Sequence, residues 1–264
     1  MSETVSDFRE RKVADLIEER HPRTVRIVFR HGLGDALMFW RVCLPALRRR
    51  FPDVEFQFQT HLSQPDLFGR HEEKPDLAVA LRFPCAEWDA GDLTKAEKCA
   101  VQELGLDGPF PEETPLPRPP RPLVGVHFLS TCLDSVSAKE AAARAVWETI
   151  LEAGGQPIDT HFRHEHARAS AWSWEGLNCS GCDATLDNLA SVIAACRGFA
   201  GVSSGNFNMA LSILPPERIL FLRTNFPAAK LTRLPVRELD VRGGDIDRDA
   251  LREWVVSLGI VRGG

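Results

Sequence analysis

Apolar runs and helically spaced apolar positions alternate along the chain. Phe8, Val13, Leu16 and Ile17 recur at helical spacing, so residues 1–22 read as a short leading helix. TVRIVFR (residues 24–30) then changes the pattern. It is β-branched and mostly apolar, as expected of a strand covered on both faces. HGLGD follows as a turn, and ALMFWRVCLPALRRRF as a helix that Pro45 should kink or split. VEFQFQT (54–60) alternates like a second strand, DLAVALRF (76–83) predicts a third, and LTKAEKCAVQELGL (93–106) predicts a helix. Strand, glycine turn, helix and strand in this order open a doubly wound α/β domain.

The grammar restarts after DGPFPEETPLPRPPRP (107–122), which has seven prolines in sixteen residues. Such a stretch is stiff and extended and cannot join a sheet interior. It divides the chain into an N-terminal Rossmann-like domain at 1–112, a hinge at 113–122 and a C-terminal Rossmann-like domain at 123–264. In the second half LVGVHF (123–128) is a buried-type strand, 137–153 has helical spacing, and PIDTHF is a weaker strand. TLDNLASVIAACR (185–197) is an amphipathic helix. GFAGVSSGNFNMALSIL (198–214) repeats strand, glycine turn and helix; RILFLR (218–223) is a further strand and DRDALREWVVSLGI (247–260) a terminal helix. Two α/β halves on a hinge suggest a cleft between them, a common place for ligands.

Composition narrows the class. The chain has 264 residues, 44% hydrophobic and 26% charged, the balance of a globular protein. No run approaches the roughly 18 consecutive apolar residues of a membrane span, so no integral membrane segment is expected. The start, MSETVSDFRERKVADLIEER, is charged throughout and lacks the apolar core of a secretory signal, which places the protein in the cytoplasm. A net charge of -5 argues against nucleic acid as a partner. Arg48, Arg49 and Arg50 read as a solvated helix end, favoured by the negative pole of the dipole. The seven cysteines, an odd number, read as free thiols or ligands before disulfides.

Glycine turns between strand and helix carry the candidate chemistry. There, backbone N–H groups and the positive end of the helix dipole converge and favour anions. Such turns occur in both halves, at HGLGD with His31, Gly32 and Gly34, and at SSGN. Asp35 has two readings on the residues alone: a helix cap, or a general base facing the cleft. The second turn has no carboxylate. Ser203, Ser204, Asn206 and Asn208 are hydrogen-bonding groups suited to phosphate or sugar hydroxyls.

RIVFRHGLGDALMFWRVCLPALRRRFPDVEF resembles the opening of the ADP-heptose:lipopolysaccharide heptosyltransferases, glycosyltransferase family 9: a strand, a Gly-Asp turn, a helix, a proline and a Phe-Pro-Asp segment. TLDNLASVIAACRGFAGVSSGNFNMALSIL resembles the same family's donor-side helix, strand ending in Gly-x-Asp-Ser-Gly, and helix. LVGVHF with Ser130 and Thr131 is similar to the strand and phosphate-contacting turn that begin its second domain. The resemblance implies a GT-B fold of two Rossmann-like domains, acceptor on the first and nucleotide-sugar donor on the second. It implies Asp35 as catalytic base for a single inverting displacement, with Gly34 shaping its turn beside His31 and Gly32. Ser130, Thr131, Lys139, Ser203, Ser204, Gly205, Asn206 and Asn208 fall on the donor side, Lys139 only as a loose counterpart of the family's lysine. No metal or other cofactor is implied. The partners are a nucleotide-diphosphate sugar, a heptose among the candidates, and a glycan or protein acceptor.

Three departures keep a second reading open. Ser203 stands where the family has Asp, Asn208 where it usually has His, and the N-terminal domain is shorter than usual. These favour a relative that binds nucleotide or sugar without transfer. HFRHEH, with His161, His164 and His166, and CSGC, with Cys179 and Cys182, hold metal-ligating residue types. Zinc signatures pair two close couplets at set spacings, and here there is one, so no metal site is assigned.

Overall fold

In the computed structural model, which describes residues 12–29, 33–60, 73–81, 103–107, 122–128, 136–160, 177–178, 186–224 and 227–260, the chain divides into two units, Met1–Glu112 and Glu113–Gly264. The first is built on β1 (Thr24–Phe29), which lies between β2 (Glu55–Thr60) and β3 (Leu77–Leu81) in a parallel sheet. Val25 of β1 stands level with Phe56 on one side and Leu77 on the other. β1 buries Val25, Ile27 and Phe29 but leaves Thr24, Arg26 and Val28 only partly covered. The expected burial of both faces is thus incomplete, because polar Thr24 and Arg26 share the second face. Arg26 meets Gln57 Oε1 from Nε and Nη2 at 3.1 and 2.9 Å. Asp76 accepts the N–H groups of Arg23 and Thr24 at 2.8 and 3.1 Å, which ties the entry to β3 to the start of β1. Ahead of the sheet, α1 (Val13–Arg20) buries Val13, Ala14, Leu16 and Ile17. It ends at His21 in the left-handed region, φ 48.

After β1 the helical path has three parts: α2 (Leu33–Met38), a π turn (Phe39–Cys43) and α3 (Leu44–Arg50). Pro45 lies in the first turn of α3. Lacking an N–H, it cannot make the bond to the carbonyl four residues back. The wider turn just before it absorbs that loss, since a π turn inserts one extra residue without leaving the helix. Met38 and Leu44 keep right-handed helical dihedrals, φ/ψ of -59/-45 and -61/-43. The disruption expected at Pro45 is therefore taken up ahead of it, as a widened turn in a continuous helical path. The turn places Phe39 between Phe29, at 4.8 Å edge to face, and Phe58, at 5.8 Å.

The second unit is a parallel sheet in the order β6-β5-β4-β7-β8-β9. Its strands are β4 (Leu123–His127), β5 (Gln156–Asp159), β6 (Leu177–Asn178), β7 (Gly198–Gly201), β8 (Ile219–Arg223) and β9 (Arg237–Asp240). Sequence patterning missed β6 and β9. Alternation along the strands divides the core between two faces. Val124, Val126, Ala200, Leu220, Leu222 and Leu239 pack with α4 (Val136–Glu152) and α7 (Arg248–Ser257). On the opposite face Ile158 and Leu123 meet Cys196, with Val192 of α5 (Leu186–Ala194) against them. Phe207 of α6 (Gly205–Ile213) packs on Phe221 at 4.9 Å. Cover on both faces explains why β4 is buried at every position, as its unbroken apolar run predicts.

Two glycines of this sheet leave room for one ring. A Cβ on Gly125 or on Gly201 would lie 2.8 Å from Phe199, and on Gly201 also 3.1 Å from the His127 carbonyl. Gly201→Ala should therefore destabilise the fold by about 1–3 kcal/mol, the usual effect of overpacking. Denaturant unfolding checks this, and wild-type stability would mean that the Phe199 ring moves aside freely. Among the described residues no helix is long and apolar enough to cross a membrane. The proline-rich segment (107–122) and the helix expected at 93–106 lie almost wholly outside the described residues.

Candidate functional site

Parallel α/β sheets offer ligands a crevice at the carboxyl ends of their strands, where the strand order reverses and the loops part to opposite faces. In the second unit β4 has β5 on one side and β7 on the other, so the reversal lies between β4 and β7. The two strands stay joined to their last residues, with the Val202 N–H on the His127 carbonyl at 3.1 Å. Beyond that bond the chain turns at Ser203 and Ser204 into α6. Ser204 is extended, φ -160 and ψ 172, and its Oγ accepts the N–H of Phe207 at 3.1 Å. This is an N-cap. The first-turn N–H groups of a helix have no partner within it, and the helix dipole makes this end attractive to anions.

The hydrogen-bonding group read from SSGNFN separates into three roles. Ser203 and Gly205 are half-buried at the mouth of the turn. Ser204 holds the helix start. Asn206 and Asn208 are each 2% exposed and turn inward. Asn206 Nδ2 donates to the Thr160 carbonyl at 2.5 Å and lies 3.3 Å from the Thr160 hydroxyl. Asn208 Nδ2 donates to the Ser204 carbonyl at 3.1 Å. Thr160, which the sequence did not single out, directly follows β5, and its hydroxyl donates to the Val126 carbonyl at 3.0 Å. Ser130 and Thr131 lie outside the described residues. Lys139 lies in the first turn of α4, and its side chain is likewise outside them.

In the first unit the strand order reverses between β1 and β3. α2 starts at Leu33, closer to β1 than the sequence suggested, so Gly34 and Asp35 belong to its first turn. Gly34 thus stands inside the helix start, next to Asp35, and is not among the positive-φ glycines. An acid in a first turn is favoured by the helix dipole, which helps the helix begin this early. Asp35 is half-buried at the carboxyl end of the central strand. His31 and Gly32 lie outside the described residues.

Cys43 and Cys196 are fully buried and form no disulfide, in keeping with thiols rather than disulfides. Burial pushes the Cys196 thiol up to about 12, against a smaller lowering by a backbone hydrogen bond at Gly125. It stays protonated and cannot act as a thiolate. Among the described residues no group of three or more His, Cys, Asp or Glu side chains could hold a metal ion. HFRHEH and CSGC fall outside them.

No protein-family model matches the chain, and no curated protein sequence does. Solved structures do match. E. coli ADP-heptose lps heptosyltransferase II aligns at 14% identity over 89% of this chain and 98% of its own, with a TM-score of 0.62. E. coli heptosyltransferase WaaC, solved with ADP, aligns at 10% identity over 89% of this chain and 99% of its own, TM-score 0.58. The glycosyl transferase family 9 structure from Veillonella parvula DSM 2008 aligns at 12% identity over 91% of this chain and 90% of its own, TM-score 0.57. The coverage is near complete in both directions, so the likeness runs through both units and is more than one shared Rossmann half. What is shared at these identities is the fold.

Proposed function

We propose that the chain is a glycosyltransferase of GT-B type, with the first unit as a shortened acceptor domain and the second holding a nucleotide-diphosphate sugar. One observation carries the reading: the Ser204-capped start of α6 opens at the strand reversal between β4 and β7, in a chain whose fold matches glycosyltransferases over nearly its whole length. First-turn N–H groups and the dipole of α6 would receive the diphosphate. Ser203 and Gly205 stand at the mouth, and Ser130, Thr131 and Lys139 supply the remaining donor contacts that the resemblance implies.

Asp35 acts as general base in a single inverting displacement. It takes the proton of the acceptor hydroxyl as that oxygen bonds to the anomeric carbon, and the bond to phosphate breaks with its electron pair leaving on the nucleoside diphosphate. Charge developing on that leaving group is stabilised by donors already in place, without a resident metal. Because two of the matching structures are heptosyltransferases, one with ADP bound, ADP-heptose is the first donor to try. The acceptor is a glycan or protein hydroxyl.

A thermal-shift screen against nucleoside diphosphates and their sugars tests the donor site. A ligand that binds only the native state at about 100 times its Kd adds about 2.7 kcal/mol. A selective rise in melting temperature with one base is expected; no rise with any of them at millimolar concentration would sink the reading. A second reading, binding without transfer, is favoured by Ser203 and by the inward-turned Asn208. It predicts the same shift with no sugar transferred or hydrolysed.

A further inference from the structure

We propose that Asn206 is a positioning residue: through Thr160 it locks the start of α6 to the carboxyl end of β5, and thereby sets where the Ser203–Gly205 turn presents its N–H groups to a diphosphate. The inference rests on the donor-site reading above and adds a component to it.

The lock joins parts of the sheet that ordinary pairing cannot join. α6 follows β7, and β7 and β5 are not neighbours, because β4 lies between them. Asn206 spans that gap, with its amide on the Thr160 carbonyl at 2.5 Å across 46 residues of sequence. Thr160 is fixed in turn to β4, its N–H and its hydroxyl both reaching the Val126 carbonyl at 3.0 Å. His127, at the end of β4, brings Nδ1 within 3.5 Å of the same hydroxyl. The three side chains come from α6, the residue after β5 and the end of β4, and are 2%, 1% and 1% exposed.

Asn206 is not needed to cap its own helix, since Ser204 does that. Its amide instead satisfies the carbonyl of the residue after β5, where the chain leaves the sheet. Identity is also dictated there. Only the NH₂ side of the amide can face a carbonyl, and a buried polar group without a partner is costly. The consequence for function is geometric. N–H groups that hold an oxyanion act at about 2.7–3.1 Å, and a misplacement of about 1 Å lowers rates by about a hundredfold.

The test uses Asn206→Leu and Asn206→Asp, which is isosteric and as a carboxylate cannot donate to the carbonyl, together with Thr160→Val, which removes the hydroxyl's bond to the Val126 carbonyl but keeps the main-chain acceptor, and Thr160→Ser as the conservative rescue. Two readouts are taken on the full chain. Amide hydrogen exchange without ligand should rise about tenfold or more at Phe207 and Asn208, whose N–H groups are bonded to Ser204, and stay unchanged in β8. Calorimetry should show affinity for the nucleoside diphosphate that shifts the wild type falling about tenfold or more, with affinity for its nucleoside unchanged and Thr160→Ser near wild type. A merely structural residue would leave the ratio of the two affinities where it was. Variants that bind the diphosphate as the wild type does overturn the lock alone. A wild type that binds no nucleoside diphosphate overturns the donor-site reading, and the lock's role falls with it.

Discussion

Trp254→Ala is expected to destabilise the second unit by about 3–5 kcal/mol, the range for deleting a buried tryptophan. The ring is fully buried on the inner face of α7 and packs in the cluster formed with β4, β7, β8, β9 and α4. Ion pairs between α4 and α7, Arg248 with Glu148 and Arg252 with Glu152, are exposed and add at most about 1 kcal/mol each, so the apolar contact carries the helix. Trp254→Phe separates two contributions. The indole N–H is buried and finds no hydrogen-bond partner among the described residues, and removing it relieves a penalty of about 1–3 kcal/mol. The phenylalanine variant should therefore lose far less stability than its smaller ring implies. Denaturant unfolding, with hydrogen exchange in β4 and β7, measures both. A loss below about 1 kcal/mol for the alanine variant would show that the ring is not part of a close-packed core.

The framework of both sheets was legible because buried parallel strands are written as apolar runs. LVGVHF, GFAGV and RILFLR have few other uses, and all three are strands. β9 was not legible, since Arg-Glu-Leu-Asp buries only Leu239 and sits at the sheet edge, where polar residues are tolerated. The π turn was hidden for another reason. Pro45 announces a disruption in the helix, but whether the chain breaks, bends or widens depends on where Phe39 must pack.

At the site, residue types were legible and directions were not. Asn206 and Asn208 resemble ligand-binding amides, yet every residue from Asn206 to Leu211 is buried. A helix apolar on nearly all sides was the available sign that an asparagine within it would find a protein partner. Thr160 had no such sign. It follows a short strand, and its importance comes from a residue 46 positions away.

Asp35→Asn is expected to lower sugar transfer by about 10²–10⁴-fold while leaving donor affinity within about twofold. The replacement keeps the shape and one acceptor oxygen, turns the other into an NH₂ donor, and removes the group that can accept the acceptor's proton. Its effect on stability should be small. Asp35 lies in the first turn of α2, where a negative charge is worth about 0.3–1 kcal/mol. The two roles that residue type leaves open therefore divide cleanly between two measurements. A base loses turnover and keeps its melting temperature; a structural acid loses stability and keeps turnover in proportion to the folded fraction. Donor affinity supplies the third coordinate, because the proposed diphosphate site lies in the second unit and Asp35 in the first. If Asp35→Asn weakened donor binding as much as transfer, the carboxylate would be holding the donor or the fold, and the base would have to be sought elsewhere. If the wild type bound the donor and transferred no sugar to any acceptor or to water, Asp35 would have no proton to take, and binding without transfer would be the function that remains.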